Sequence, residues 1–570
     1  MVHDCTILRR LRWWRAIAAV VGGGLASASF SPLEWSWAAF LAMVPLLALP
    51  FPRRHLERLA IGGLFGYVHF ATLLHWLNAV GFGAGWLLAG YCALFPMAWY
   101  WLAADVAWRL KPVEVLKDGE TAASPPHCPG APLLPPGAGW RMQLLAGVAP
   151  VAGWTALEWL RGWLFTGFPW AILGTSQAFN PLTRQCVSVA GPYGLGTAIM
   201  AVNAGIAAAI VARRKWWRQP LWWTAVAALA AVLLHGVAVR GGASAQPAGR
   251  TLTVMAVQGD LPECRSWDYD LFEYSWQRYS WLTLDGLARA GRPIDLAVWP
   301  EGALPCAIGY HPYARNLQAL LRKMDGVPLL LGAIDLRPKN FQVLLKPGFD
   351  ESDCGLYNSA FLLTASSPLL ANASTPLRSG HYDKIHLVPF GEYVPFSRYF
   401  PWLPGLIGMG RDMTAGGRYT LFKCAGARFG VSICFEDAFP GIPRRFMQDG
   451  ADFLVTITND CWYPFSAEAR QHLAHAVMRA VENRVPLLRS GNNSDTCLIL
   501  PDGSITGVVR DRHGGQYGAG TGVYNVPVAG RAGLSPYCRF GDWAAWLCLM
   551  AAIAVQAAAC RHRRTAVQKK

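Results

Sequence analysis

Three short stretches of this chain each put one reactive side chain at the edge of an apolar run. In LAVWPEGALP, Glu301 follows Pro300 at the end of an apolar run. In HYDKIHLVPFGEYVP, Lys384 precedes an apolar stretch and Glu392 lies in the turn after it. In RFGVSICFEDAFP, the run ends on Cys434, with Phe435 and Glu436 next. A carboxylate, an ammonium and a thiol suit acyl transfer through a thioester. A free thiol ionises near about pH 8.5, so a base or a nearby cation must activate it. Glu301 is the candidate base for the thiol proton. Attack on an ester makes a tetrahedral oxyanion, for which Lys384 and the backbone N–H of Phe435 are candidate donors. The resulting thioester reacts readily with an amine to give an amide. Taken singly, each residue has a plainer reading. A cysteine ending an apolar strand is ordinarily a small core residue, a glutamate after Trp-Pro a turn residue, and a lysine in a polar stretch a solvated one. Their succession in one domain favours chemistry.

The elements that must hold these residues are legible around them. Apolar runs rich in Val, Ile, Leu and Phe predict strands at 252–257, 296–299, 329–333, 360–363, 428–433, 453–458, 487–490 and 497–500. Helices are expected at 269–290, 313–324 and 467–483, with a further one after Cys434. Strands mixed with helices in this way indicate an α/β domain with buried sheets.

The rest of the chain has another composition. Of 570 residues, 53% are hydrophobic and only 15% charged, against about 25% charged in an ordinary globular protein. The excess lies at the two ends, in apolar segments near 15–31, 35–51, 59–78, 84–108, 142–164, 189–212, 220–239 and 541–560. Several are about 20 residues long, enough to cross roughly 30 Å of hydrocarbon as helix. The first continues into further apolar segments, so an uncleaved span is preferred to a signal peptide. The net charge of +16 comes largely from arginines beside these segments, which a membrane explains without nucleic acid. With eight spans, the basic stretches at 9–15, 53–58, 109–141, 213–218 and 561–570 all fall on one side. The positive-inside rule makes that side cytoplasmic and puts the α/β domain outside. Three divisions follow: a seven-span bundle over 1–245, a catalytic domain over 246–535, and a last span with a basic tail over 536–570. The 14 cysteines contain no CxxC pair, so neither a zinc ribbon nor a thioredoxin-like motif is supported.

The segments WPEG, YDKIHLVPFGEYVP and SICFE resemble the Glu, Lys and Cys motifs of the nitrilase superfamily. The surrounding chain resembles one branch, the apolipoprotein N-acyltransferases. Further matches are VQGD at 257–260, SWD at 266–268, TITND at 456–460, VPLLRSGNN at 485–493, GLSPYCRFGDW at 533–543 and GFPW at 167–170. The resemblance implies a polytopic helical bundle of about eight spans carrying a four-layer α-β-β-α sandwich. It implies Glu301 as general base, Lys384 as oxyanion-stabilising lysine and Cys434 as nucleophile. It also implies Glu392 as a second essential glutamate, Glu436 as an acidic residue just after the nucleophile, and Trp267 as a substrate-holding residue. Three departures stand near the site: Phe435 where Tyr is common, Gly302 where Ser or Thr is common, and DCWYPF at 460–465 in place of a DxWFG turn. The ring of Phe435, rather than a hydroxyl, is expected to matter.

By this resemblance the enzyme is a monomer of the bacterial inner membrane with its catalytic domain on the periplasmic side. It takes an acyl chain from a membrane phospholipid and passes it to the α-amine of a diacylated apolipoprotein. No metal or organic cofactor is implied. One rival reading is a membrane-tethered amidase or nitrilase, which needs only one anchoring span. Another is a lipid- or lipoprotein-binding protein with a decayed site, against which the intact Glu301, Lys384 and Cys434 count.

Overall fold

The computed structural model describes residues 2–111, 130–134, 139–242, 250–262, 269–308, 314–338, 354–367, 380–402, 405, 411–463, 465–511, 513–515, 517–528 and 533–568. The chain divides into two compact units, one of Met1–Gly242 with Phe540–Lys570 and one of Ala243–Arg539.

The first unit is helical. Its helices are α1 (Val2–Ala28), the short α2 (Val44–Leu47), α3 (His55–Leu73), α4 (Ala84–Leu110), α5 (Trp140–Arg161), α6 (Val187–Ala212) and α7 (Pro220–Gly242). The last helix, Trp543–Gln568, returns to this unit after the second. Among the described residues, four helices are long and apolar enough to cross a membrane: α4, α6 with its flanking turns, α7 and the last. The segment at 35–51, expected as a span, is not one helix. It is a 3-10 turn over Ser36–Phe40 followed by α2. Proline lacks the N–H that a continuous helix needs, and Pro45 and Pro50 lie within this stretch, with Pro32 and Pro52 flanking it.

Its path nevertheless runs the depth of the bundle. Arg15 on α1 pairs with Glu57 on α3 at 2.8 Å, and Ser27 on α1 meets His69 on α3 at 3.2 Å. Ser27 and His69 stand equally far along their helices from Arg15 and Glu57, so α1 and α3 run parallel. The chain between them must therefore return from one end to the other, and Arg15 Nε donates to the Pro50 carbonyl at 2.8 Å where it arrives. Its irregular backbone is satisfied from α6 and the turn before it. Asn203 accepts from Met43 N–H and donates to Ala39 O, both at 2.9 Å, and Gln177 donates to Ser36 O at 2.8 Å. Buried irregular backbone needs its polar groups satisfied in this way.

The second unit holds two sheets. The strands are β1 (Arg250–Gln258), β2 (Leu296–Val298), β3 (Leu304–Ala307), β4 (Leu329–Pro338), β5 (Cys354–Leu363), β6 (His381–Asp383), β7 (Phe422–Cys424), β8 (Ala427–Ile433), β9 (Phe453–Thr458), β10 (Leu487–Gly491), β11 (Cys497–Ile499), β12 (Ile505–Thr506) and β13 (Gly520–Val528). The first sheet has the order β13-β1-β2-β4-β5-β6, with β3 also on β4, and the second β12-β11-β10-β9-β8-β7. Each has a parallel heart, β1-β2-β4 and β8-β9-β10, flanked by antiparallel strands. The parallel strands carry near-continuous apolar runs, as strands covered on both faces must; every residue of β9 is buried.

The sheets meet face to face. Ser490 on β10 reaches the carbonyls of Val257 and Val298 at 3.5 Å, and a Cβ on Gly332 of β4 would lie 3.0 Å from Ile457 of β9. Helices α8 (Tyr269–Arg289) and α9 (Ala314–Lys323) share one core with the first sheet. On the second sheet lie α10 (Gly441–Gln448) and α11 (Glu468–Asn483), and Gly430 lets Phe446 of α10 lie flat on β8. The described cysteines of this unit, including Cys354, Cys424, Cys461, Cys497 and Cys538, carry no disulfide.

Candidate active site

Glu301, Lys384 and Cys434 come from different strand ends. Glu301 lies just beyond β2, and Gly332 on β4 makes room for it, since a Cβ there would stand 2.6 Å from Glu301 Cα. Gly302 follows at φ 60°, a conformation glycine adopts at no steric cost. The departure from Ser or Thr therefore suits the turn. Lys384 directly follows β6, and its N–H donates to Asn358 O at 2.8 Å, continuing the β5–β6 ladder. Cys434 directly follows β8, at φ 52°, and opens a 3-10 turn over Cys434–Ala438. A non-glycine residue in that region holds strain of about 1–3 kcal/mol, which persists only where the surroundings impose it.

Around the lysine is a small buried lattice. Lys384 Nζ stands 2.9 Å from Glu392 Oε1 and 3.4 Å from Glu301 Oε1. Asn358 Nδ2 donates to the same two oxygens, at 2.7 Å to Glu301 and 2.9 Å to Glu392. Glu301 Oε2 accepts from Asn459 N–H at 3.1 Å, and Glu392 Oε2 from Val388 N–H at 2.8 Å. Burial alone would push the Lys384 ammonium down, but Glu392 and Glu301 hold it well above the ordinary lysine value. Burial, with Glu301 beside it, pushes the Cys434 thiol up, against the pull of Lys384 and His472. The thiol thus rests protonated, and a base must take its proton as it reacts.

Glu436 ties the lysine segment to the nucleophile strand. Its Oε1 accepts from Tyr382 OH at 2.8 Å, Ile385 N–H at 2.7 Å and His386 N–H at 3.1 Å, and its Oε2 from Ile433 N–H at 2.8 Å. Burial pushes its carboxyl up to about 7, opposed by those donors. The ring of Phe435 lies 6.1 Å from that of His386 and 5.1 Å, edge-on, from that of Phe439. Beyond Glu392 the chain is pinched together again: Val394 N–H donates to Asp412 Oδ1 at 2.9 Å, and Met413 N–H to Glu392 O at 2.7 Å.

Behind Cys434 lies a buried ion network that the sequence reading missed. His472 Nδ1 is 2.9 Å from Asp460 Oδ1, and its Nε2 is 3.0 Å from Asp437 Oδ1 and 3.2 Å from Cys434 O. Asp460 also accepts from Arg489 at 2.6 Å, Ser494 at 2.7 Å and Thr458 at 2.8 Å. Burial would raise the Asp460 carboxyl, but Arg489 and His472 hold it well below the usual range. Asp460, Glu468 and His472 bring atoms within 4.8 Å of one another, a metal-like grouping. The Arg489 guanidinium and the His472 ring already engage those oxygens, so the cluster reads as an internal ion network. Asn492 joins the VQGD, TITND and VPLLRSGNN stretches: its side chain donates to Asn459 Oδ1 at 2.9 Å and its carbonyl accepts from Asp260 N–H at 2.6 Å.

Residues 200–514 match the carbon-nitrogen hydrolase family, and residues 22–205 the apolipoprotein N-acyltransferase N-terminal domain. An apolipoprotein N-acyltransferase of Geobacter metallireducens is 30% identical over 96% of this chain and 95% of its own length. The chain belongs to the apolipoprotein N-acyltransferase family. A relative of that name from Ralstonia nicotianae is also 30% identical, over 98% of this chain and 95% of its own. Among solved structures, a Saccharomyces cerevisiae member of branch 10 of the nitrilase superfamily is similar at 16% identity, over 49% of this chain and 90% of its own, with a TM-score of 0.33.

Of the residues singled out from the sequence of this apolipoprotein N-acyltransferase family member, Glu301, Lys384 and Glu392 are joined by direct contacts. Cys434 lies in their electrostatic field, and Glu436 serves the backbone around them. Trp267 lies outside the described residues. Asn358 went unnoticed, although an asparagine inside the apolar strand GLYNSAFLL was a usable signal, because a buried amide must find partners.

Proposed function

We propose that this protein transfers a fatty acyl group from a membrane phospholipid, through a thioester on Cys434, to the α-amine of a diacylated apolipoprotein's N-terminal cysteine. The observation that carries the reading is the Glu301–Lys384–Glu392 lattice beside Cys434, in a chain similar end to end to apolipoprotein N-acyltransferases. Glu301 Oε1 accepts from Asn358 and Lys384, whereas Oε2 accepts only from Asn459 N–H among the described bonds. Oε2 is therefore the oxygen to take the thiol proton. The sulfur attacks the ester carbonyl, and Lys384 with the Phe435 N–H receives the oxyanion. The C–O bond breaks, and the proton returns from Glu301 to the lysophospholipid alkoxide. In the second half the α-amine attacks the thioester, the C–S bond breaks, and the amine's proton passes by way of Glu301 to the departing thiolate. Glu392 keeps both oxygens engaged and acts as the fixed counter-ion of Lys384.

Purified protein incubated with phospholipid vesicles and a diacylated lipopeptide is expected to give a triacylated lipopeptide and lysophospholipid in equal amounts by mass spectrometry. Free fatty acid without lipopeptide product would replace this reading with a hydrolase.

The bundle over 1–245 and 536–570 anchors the catalytic domain, 246–535, to the inner membrane as a monomer, with that domain on the periplasmic side. Two of the basic stretches lie together, which supports this orientation: Arg58 and Arg109 both pair with Asp105. A reporter active only outside the cytoplasm is expected to work when fused after Arg240 and to be silent after Arg218. The reverse pattern would overturn the orientation.

A further inference from the structure

The peptide joining Cys434 to Phe435 is trans, and a trans peptide is planar, with its C=O and N–H pointing in opposite directions. Whatever grips the Cys434 carbonyl therefore also aims the Phe435 N–H. That carbonyl accepts from His472 Nε2 at 3.2 Å. Carboxylates stand on both sides of this ring, which favours a proton on each of its nitrogens. Asp460 is 2.9 Å from Nδ1, with Glu468 at 3.5 Å, and Asp437 is 3.0 Å from Nε2. Both nitrogens then donate. Burial would lower the imidazole's affinity for a proton, yet Asp437 and Asp460 raise it well above the ordinary value, against Arg489. The ring cannot easily turn, because Asp460 is itself held by Arg489, Ser494 and Thr458.

We propose that His472 is a positioning residue for the oxyanion site: by donating to the Cys434 carbonyl it fixes the plane of the 434–435 peptide, aims the Phe435 N–H and polarises it. A carbonyl that accepts a charged donor strengthens the hydrogen bond its own amide gives on the far side. The same bond holds Cys434 in its left-handed conformation, which nothing in the cysteine side chain favours. The inference rests on the reading that the Phe435 N–H receives the oxyanion of acyl transfer.

Two substitutions separate this role from a merely structural one. A glutamine amide reaches about as far as Nε2, and an asparagine amide about as far as Nδ1. His472→Gln keeps a donor for the Cys434 carbonyl, whereas His472→Asn keeps only the bond toward Asp460. With the full chain and vesicles of phosphatidylethanolamine and phosphatidylglycerol, acyl-enzyme formation is expected to fall about 100-fold in His472→Asn and less than about 10-fold in His472→Gln. Loss of one oxyanion donor typically costs about 10²–10³. Alkylation of Cys434 by iodoacetamide builds no oxyanion, so it is expected to fall no more than about threefold in either. Equal acylation losses in the two variants, or alkylation falling in step with acylation, would overturn the proposal. If neither variant folds, Asp437→Asn decides: it removes a carboxylate that keeps Nε2 protonated, so acylation is expected to be lost, as pH rises, at a lower pH than in the parent, while alkylation of Cys434 stays within about threefold of the parent at each pH. An acylation pH profile in Asp437→Asn that matches the parent's would overturn the proposal. Absence of any acyl-enzyme in the unmodified protein would sink the acyl-transfer reading itself, and the inference with it.

Discussion

Serine in place of Cys434 is expected to leave the fold intact and to remove all acyl protein that neutral hydroxylamine can cleave. The substitution exchanges sulfur for oxygen with little change of shape, at a strand end set by Glu436 and His472 rather than by the side chain. The thiol is already held in its protonated form by burial and Glu301. A serine hydroxyl is harder still to ionise, and Glu301 is too weak a base to compensate. Loss of the nucleophile in a comparable acyl-transfer site costs on the order of 10⁶ in turnover, so no turnover should be measurable. The check is mass spectrometry of the protein after exposure to phospholipid, beside a thermal melt. An undiminished adduct in Cys434→Ser would move the nucleophile elsewhere.

The second large effect is expected from Glu301→Gln. Loss of a general base typically costs about 10²–10⁴ in rate, and in the proposed mechanism both half-reactions need this one. A further penalty comes from the site itself. Asn358 Nδ2, Lys384 Nζ and Asn459 N–H all donate to Glu301. A glutamine must turn its NH₂ toward one of these donors whichever way it flips. Leaving a buried polar group so mismatched costs about 1–3 kcal/mol, so a lowered melting temperature should accompany the loss of activity. Acylation kinetics and melting measured on one preparation test both parts. Near-normal acylation would remove Glu301 from the role of base.

What the sequence disclosed, and what it hid, follows from how far apart the determining residues lie. All eight strands expected from apolar runs are present, because a strand buried on both faces needs only its own residues to be apolar. Those missed are short or edge strands. β6 is His381–Asp383, three residues of mixed polarity, and β13 carries Gly520, Gly522 and Pro527 and pairs on one side only, with β1. The candidate residues were legible as motifs, since strand end, turn and side chain are neighbours in the chain. The partners that tune them were not. Asn358 reaches Glu301 only through the pairing of β4 with β5. His472 reaches Cys434 from α11, across the second sheet's own helix layer. In the helical unit, hydropathy averaged over the prolines at 35–51 and reported a span, where the backbone takes a broken path satisfied by Asn203.

The bond from Val394 N–H to Asp412 and the one from Met413 N–H to Glu392 O close the chain on itself at the mouth of residues 395–411. Glu436 separately fixes residues 385–386 against β8. The spacing of lysine and thiol is therefore set without any contribution from the length of that stretch. Doubling a loop whose ends are already fastened adds only about 0.6 kcal/mol of closure entropy. A change of length between the pinch at Val394 and Asp412 is thus expected to leave Lys384 and Cys434 at their present spacing.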